Sequence, residues 1–429
     1  MLNGVHLLNF GNHHDTRMSF GRFNALVGQN GAGKSTVFRA LLAYRDAQNP
    51  LPFSYDVVQP SITWPMWYLR SGTQEAVVSV GQHGRLDLAP ETFVAGAILR
   101  TVSNPNDPTC VCTPFYKWRL DNLPPDDLKW FPVSEINPQI VPADAEENSK
   151  KVFGKIFDML ENIDSVQAVK TEPVTKWNMG HSLPPYLSDA AKSIHYFKAA
   201  GAVIASPSYT TNVPPQMSEN GEYLASVVAN MIGSDPDRFE GMLNAFRSVI
   251  PSVKRILTRR REITIKEKRI IAVNRKNVPF DEERTVAGDE LLFDTVSGRL
   301  PMQAMSEGTM MALAILTRVF AQDGPTVLLL DDIEQGLHAK AQHDLIAQLR
   351  TLQTQREDLQ IILSTHSPFI IDEMKPEEVW LLHATPETGA RARKLSEHPN
   401  AERALKVLST GEFWSAEGEE WVTTAEPAK

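Results

Sequence analysis

Cysteine is almost absent from this chain. The 429 residues hold two, Cys110 and Cys112, in the run TCVCTP. A lone C-x-C offers two ligands with no matching Cys or His pair nearby, which argues against a zinc site. Cysteine poverty fits a reducing cytoplasm. An excess of positive charge is also missing. The net charge is -9, so no global basic field draws the chain to nucleic acid, and any such contact must be a local patch. Long apolar runs are missing too. None approaches the ~18 to 20 residues that span a bilayer, and the longest, such as AAGAVIA, have the length of a core strand. The opening stretch MLNGVHLLNFGNHHD has no basic segment followed by an apolar run, so no signal peptide is expected. No internal repeat is found, and no heptad register persists long enough for an extended coiled coil. What remains is 42% hydrophobic and 22% charged, an ordinary globular composition with length for roughly two to three domain-sized units. The expectation is a cytoplasmic protein with no membrane contact.

The texture changes along the chain. VHLLNF and FNALVG read as strands, the second running straight into a glycine loop. TVFRALLAY has the apolar spacing of a buried helix, and EAVVSVG and TFVAGAILRTV are further strand candidates. From about 104 to 148, NPNDP, NLPPDD and INPQIVPADAEEN are rich in proline and acids and predict loop. KVFGKIFDMLENI places Val152, Phe153, Ile156, Met159 and Leu160 on one helical face. DRFEGMLNAFRSVI does the same with Phe239, Met242, Leu243, Phe246 and Ile250, and GEYLASVVANMIG precedes it. REITIKEKRIIAV and DELLFDTV read as strands. From Gln303 the order is helix (GTMMALAILTRVF), strand (TVLLLD), helix (DLIAQLRTLQ), strand (QIILST). Apolar strands alternating with amphipathic helices indicate an α/β fold with a parallel sheet. The expected organisation is one nucleotide-binding head in two parts, 1–104 and 286–385, an inserted and mostly helical lobe over 105–285, and a C-terminal tail over 386–429.

Chemistry concentrates in four motifs. GQNGAGKST matches G-x-x-x-x-G-K-[ST] from Gly28 to Ser35, between a strand and a helix. Its Asn30, Gly31, Ala32 and Gly33 form the loop, whose backbone N–H groups can face phosphates. Lys34 supplies a point charge, Ser35 can ligate Mg²⁺, and Thr36 follows in the first turn of a helix whose N-terminus is positive. VLLLDD delivers Asp331 at a strand's carboxyl end to hold the metal shell, with Asp332 placed to activate water. IILSTHSPF ends a strand at His366, which can donate to a γ-phosphate. MSEGT opens a helix with Ser306 and Gly308, either as an anion site or as a plain Ser306 cap.

Together, GQNGAGKST, MSEGT, VLLLDDIEQGLH and IILSTHSPF resemble the ABC-type ATPase heads of the RecF, SMC and overcoming-lysogenization-defect groups. The likeness is strongest to stand-alone AAA-family ATPases linked to bacterial defence against phage. The stretch from Ser218 to Val253 is also similar to their helical lobe. The resemblance implies a P-loop ATPase head, ATP and Mg²⁺ as cofactors, and two heads dimerising around ATP, in a homodimer or higher assembly. Ser306 and Gly308 would then cap the γ-phosphate on the opposite head, and Gly336, Leu337 and His338 lie in the segment that crosses the seam in relatives.

Two departures stand out. Asp332 occupies a position usually held by Glu. Its side chain is one methylene shorter, and a misplacement of roughly 1 Å can cost ~100-fold in rate. Either the backbone compensates, or Glu334 assists, or hydrolysis is slow. A Q-loop glutamine is not placed, with Gln74 and Gln82 the candidates.

KRILTRRREITIKEKRIIAVNRK, residues 254–276, holds ten Lys or Arg against two Glu. It is either a solvated strand face or a possible DNA contact. Only 57 residues follow Asp372, too few for an appended nuclease unit of ~100 residues, so a nuclease or toxin effector is expected on a separate chain. The acidic tail reads as disordered or as a docking strip for a partner, through Phe413, Trp414 and Trp421. The leading expectation is an ATP-gated sensor or scaffold in phage defence. A RecF-type DNA-maintenance ATPase is the alternative, and a transporter ATPase subunit is disfavoured by MSEGT and the large insertion.

Overall fold

FNALV and VLLL are apolar along almost their whole length and QIILST has an apolar centre, which suits strands covered on both faces. All three are buried throughout. The computed structural model describes residues 1–47, 63–65, 75–86, 89–101, 109–119, 192–273, 276–321 and 324–424. The chain divides into two compact units: Met1–Phe20, Arg39–Lys192 and Ala384–Arg391 form one, and Gly21–Phe38, Ser193–His383 and Ala392–Lys429 the other.

The first unit is antiparallel. Its strands run in the order Thr63–Pro65, Thr109–Arg119, Ala89–Thr101, Glu75–Leu86, Leu2–Phe10, His13–Ser19. The last of these, HHDTRMS, alternates buried and exposed positions, as expected of a strand with one covered face. Buried Thr16 donates its hydroxyl proton to the Ala390 carbonyl (2.7 Å) and accepts from His13 Nδ1 (3.0 Å), which ties in the returning chain.

The second unit is built on a parallel sheet. Val379–Thr385, Phe23–Val27, Gln360–Thr365, Val327–Leu330 and Ile194–Phe197 lie side by side in that order. All the carboxyl ends therefore face one way. Helix Glu307–Phe320 is buried from Gly308 to Val319, which fits a segment apolar on every side. Helix Pro236–Val249 buries Met242, Leu243 and Phe246, as the spacing predicts, and Phe239 and Ile250 pack at the margin of the same core. Asp235 caps it by accepting from the Arg238 N–H (3.1 Å), with Pro236 at the first position, where its missing N–H costs nothing.

The described part of 105–285, expected as a mostly helical lobe, holds more strand than helix. Thr109–Arg119 and Ile194–Phe197 are sheet strands, and Val253–Val273 pairs with Lys276–Thr295 in a long antiparallel ribbon. Helix KVFGKIFDMLENI and most of the proline-rich stretch lie outside the described residues, as does Gln74. AAGAVIA contains a short helix, Gly201–Ile204, rather than a strand. No described helix is long and apolar enough to cross a membrane.

The ribbon changes the meaning of the basic stretch. Register sets Arg260 opposite Asp289, Arg259 opposite Glu290 and Lys266 opposite Glu283. Arg260 pairs with Asp289 (3.1 Å) and Lys266 with Glu283 (2.6 Å). Arg259 and Arg261, the latter at 2.7 Å, both bond the fully buried carboxylate of Glu290. Burial alone would raise that carboxyl, but Arg259, Arg261 and Gln303 outweigh it and hold it below the ordinary glutamate value. Four of the ten cations, Arg259, Arg260, Arg261 and Lys266, are thus answered by acids on the facing strand.

The C-terminal region is also different from expectation. Phe413 is fully buried, and Trp414 and Trp421 pack against the same core. Buried His398 meets the rings of Phe413 and Trp421 edge-on, at centroid distances of 5.2 and 4.8 Å. A capping box formed by Ser409 and Glu412 starts helix Thr410–Glu417, and Asp372 accepts from the Gly411 N–H (2.7 Å). Phe413 is a core side chain and so is not an exposed anchor for a partner, while Trp414 and Trp421 are half-buried at the margin of that core.

Candidate functional site

Parallel strands deliver whatever follows them to one edge of the sheet, where α/β folds place ligands. In the second unit that edge receives the glycine loop after Val27, Lys198 after Phe197, Asp331 after Leu330 and His366 after Thr365. Register does the rest. Leu330 pairs with Phe197 on one side and Leu363 on the other, so Asp331 stands between Lys198 and Ser364.

The loop takes the shape its glycines permit. Gly28, Gly31 and Gly33 have φ of 152°, 83° and 104°, values that side-chain-bearing residues rarely adopt. A Cβ on Gly28 would also lie 2.2 Å from the Leu382 carbonyl oxygen. Asn30 and Gly31 form the exposed tip, Ala32 and Gly33 turn inward, and Thr36 is half-buried. The Lys34 side chain is buried beneath, donating to the carbonyls of Gly28 (2.7 Å) and Gln29 (3.2 Å). Burial pushes its pKa below the ordinary lysine value, against the pull of Asp332, Asp331, Glu334 and Glu419.

Asp331 is the hub. Its Oδ1 accepts from Ser364 Oγ (2.5 Å) and Ser35 Oγ (3.2 Å). Its Oδ2 accepts from Ser35 Oγ (3.0 Å), Tyr196 Oη (3.0 Å) and Lys198 Nζ (3.2 Å). Burial by itself would raise the carboxyl. Ser364, the Lys198 charge, Tyr196 and Ser35 outweigh that and hold it below the ordinary aspartate value, so it stays anionic. Asp332 follows with φ of 54°, the left-handed region that Asp tolerates better than most. Its N–H donates to Ser364 Oγ (2.9 Å), and its half-exposed carboxylate takes Lys198 Nζ at 2.7 Å.

Glu334 is tied to the turn that carries His366. Its two oxygens accept from Thr365 Oγ1 (2.8 Å) and the His366 N–H (2.7 Å). His366 itself is exposed at the sheet edge.

Ser306 caps helix Glu307–Phe320, accepting from the Thr309 N–H (3.2 Å). Gly308 lies against the Gly336 backbone, where an added Cβ would come within 2.1 Å of the carbonyl oxygen. Gly336 has φ of 71° and would meet Gly308 N in turn. Glycine is required at both positions for these two segments to touch. Leu337 is buried beside them, and His338 is exposed at the start of helix Ala339–Gln355.

The residues fit a divalent cation of the hard, oxygen-seeking kind. The Ser35 hydroxyl and the Asp331 carboxylate are already within 3.0 Å of each other. Among the described residues no group of three or more His, Cys, Asp or Glu is disposed to hold a metal. Such a set matches Mg²⁺, which takes one or two protein oxygens and fills its remaining positions with phosphate oxygens and water. Lys198, Tyr196 and Ser364 were missed by motif reading; the only trace in the sequence is that IHYF is a short apolar run followed by a lysine.

Comparison with known proteins agrees with this geometry. A family model described as "AAA domain, putative AbiEii toxin, Type IV TA system" matches residues 205–372, and a second AAA-domain model matches 5–44. No curated protein matches the chain. Among solved structures, an SMC head bound to the C-winged helix domain of ScpA aligns over 95% of this chain and 99% of its own, at TM-score 0.50 and 12% identity. A Pyrococcus furiosus SMC head with an extended coiled coil aligns over 95% and 98% at TM-score 0.44 and 12% identity. The Thermotoga maritima SMC head domain aligns over 92% and 98% at TM-score 0.40 and 10% identity. The likeness of fold rests on the first of these. Residues 205–372 and 5–44 are thus similar to AAA domains, and the fold is that of an SMC head, a P-loop fold.

Proposed function

We propose that the protein binds ATP with Mg²⁺ at the Lys34–Asp331 site and hydrolyses it slowly to ADP and phosphate. Two heads close around ATP, each lending Ser306 and Gly308 to the nucleotide of the other. The cycle is read by a separate effector, a nuclease or toxin, in defence against phage. The observation that carries the reading is the convergence of Lys34, Ser35, Asp331 and Ser364 at one sheet edge. Lys34 meets the phosphates, and Ser35 with Asp331 would hold Mg²⁺, which would supply neutralisation of the phosphate charge. Asp332 takes a proton from the attacking water, and His366 donates to the γ-phosphate. Support for a partner and for defence is of a different kind. The family description names a toxin of a toxin–antitoxin system, and the SMC head of similar fold carries a bound protein domain.

Slow hydrolysis follows from Asp332. Its carboxylate is short, and Lys198 holds it. Asp332→Ala is expected to lower the ATP hydrolysis rate of the full chain by ~100-fold, the low end of general-base catalysis, while leaving ATP affinity within a few-fold. A steady-state phosphate-release assay checks it. An unchanged rate removes Asp332 from its role.

A further inference from the structure

Lys198 belongs to none of the motifs, yet it touches both carboxylates at the centre of the site. Its ammonium lies 2.7 Å from Asp332 Oδ2 and 3.2 Å from Asp331 Oδ2. The backbone fixes it there, because the Phe197–Leu330 register makes Lys198 the lateral neighbour of Asp331.

Asp331 Oδ2 is oversubscribed. It takes three donors, Ser35, Tyr196 and Lys198, where a carboxylate oxygen has two lone pairs. It is also the oxygen nearer Ser35, at 3.0 against 3.2 Å, and the one that faces Lys198, so a cation between Ser35 and Asp331 would meet it beside the ammonium. Mg²⁺ binds oxygen at about 2.0–2.1 Å, which would put the metal and the ammonium within a few ångströms on one atom. Like charges at that range repel strongly in a partly buried site. One donor has to leave. Tyr196 is braced edge-on against Phe38, with centroids 6.1 Å apart. Lys198 makes the longest of the Oδ2 contacts, is 44% exposed, and has Asp332 to fall back on. It is the group that yields.

Resting on the nucleotide-site reading above, we propose that Lys198 is a positioning residue that competes with the divalent cation for Asp331 and retreats to Asp332, so that it sets the metal concentration at which the site loads. Lys198 thereby makes nucleotide loading answer to free Mg²⁺ as well as to ATP. After the exchange it remains on Asp332 and restrains the carboxylate that would otherwise swing to the water.

The test is the Mg²⁺ dependence of binding of a fluorescent ATP analogue to the full chain, which requires no turnover. Lys198→Met is expected to lower the half-saturating Mg²⁺ by ~10-fold, the size of one close charge pair. Lys198→Arg is expected to stay near the wild type. Asp332→Asn removes the fallback partner and is expected to shift the half-saturating Mg²⁺ upward, an opposite sign that a folding defect in Lys198→Met could not mimic. An unchanged or raised requirement in Lys198→Met, with a wild type that binds, overturns this inference alone. A wild type that binds no analogue at any Mg²⁺ concentration overturns the nucleotide site and this inference with it.

Discussion

Lys34→Ala is expected to weaken ATP binding by at least ~100-fold. The side chain is buried under the loop and bonds the carbonyls of Gly28 and Gln29, so it both shapes the cradle and brings the charge that phosphates require. Hydrogen bonds to charged groups contribute about 1.5–3 kcal/mol each, so losing two such bonds to phosphate is worth at least roughly a hundredfold. Burial already disfavours the charged form, and the nearby carboxylates restore part of it. A phosphate therefore finds an ammonium with little water to shed. Equilibrium binding of a fluorescent ATP analogue reads the effect directly. Retained affinity would place the nucleotide elsewhere.

Phe413→Ala is expected to destabilise the second unit by about 3–5 kcal/mol, the range for emptying a large aromatic site in a core. Phe413 is fully buried and meets the ring of His398. Helix Thr410–Glu417, which carries it, is tied to the end of helix Pro368–Asp372 by Asp372 and by the Thr410 hydroxyl on the Met374 carbonyl (3.0 Å). Thermal denaturation checks it, with each kcal/mol worth ~2–4 °C in a domain of this size. A variant as stable as the wild type would return Phe413 to the surface role that its acidic neighbours suggest.

That residue also shows where sequence reading stops. EFWSAEGEEW looks like an exposed strip because acids surround each aromatic. Burial was decided by helix Pro368–Asp372 and by His398, partners that no local pattern names. The partners of the basic strand were equally out of reach, since the acids that pair with Arg259, Arg260, Arg261 and Lys266 come from the facing strand of the ribbon. By contrast, the glycine loop was legible in full. Its chemistry is set by residues a few bonds apart, and its strand and helix adjoin it in sequence. Asp331 and His366 were legible because each ends an apolar strand. Lys198, Tyr196 and Ser364 were not. Their roles depend on which strands lie next to Val327–Leu330, and Ile194–Phe197 is four residues long inside a stretch read as an insertion. Spacing finds the residues that one segment supplies, and sheet order finds those that several segments share.

Calorimetric titration of the full chain with ATP in the presence of Mg²⁺ tests the central claim most directly. The account predicts one ATP per chain with micromolar affinity, about −8 kcal/mol at that strength, weakened when Mg²⁺ is chelated and abolished in Lys34→Ala. Saturation absent at millimolar ATP, or binding indifferent to both Mg²⁺ and Lys34, would contradict it.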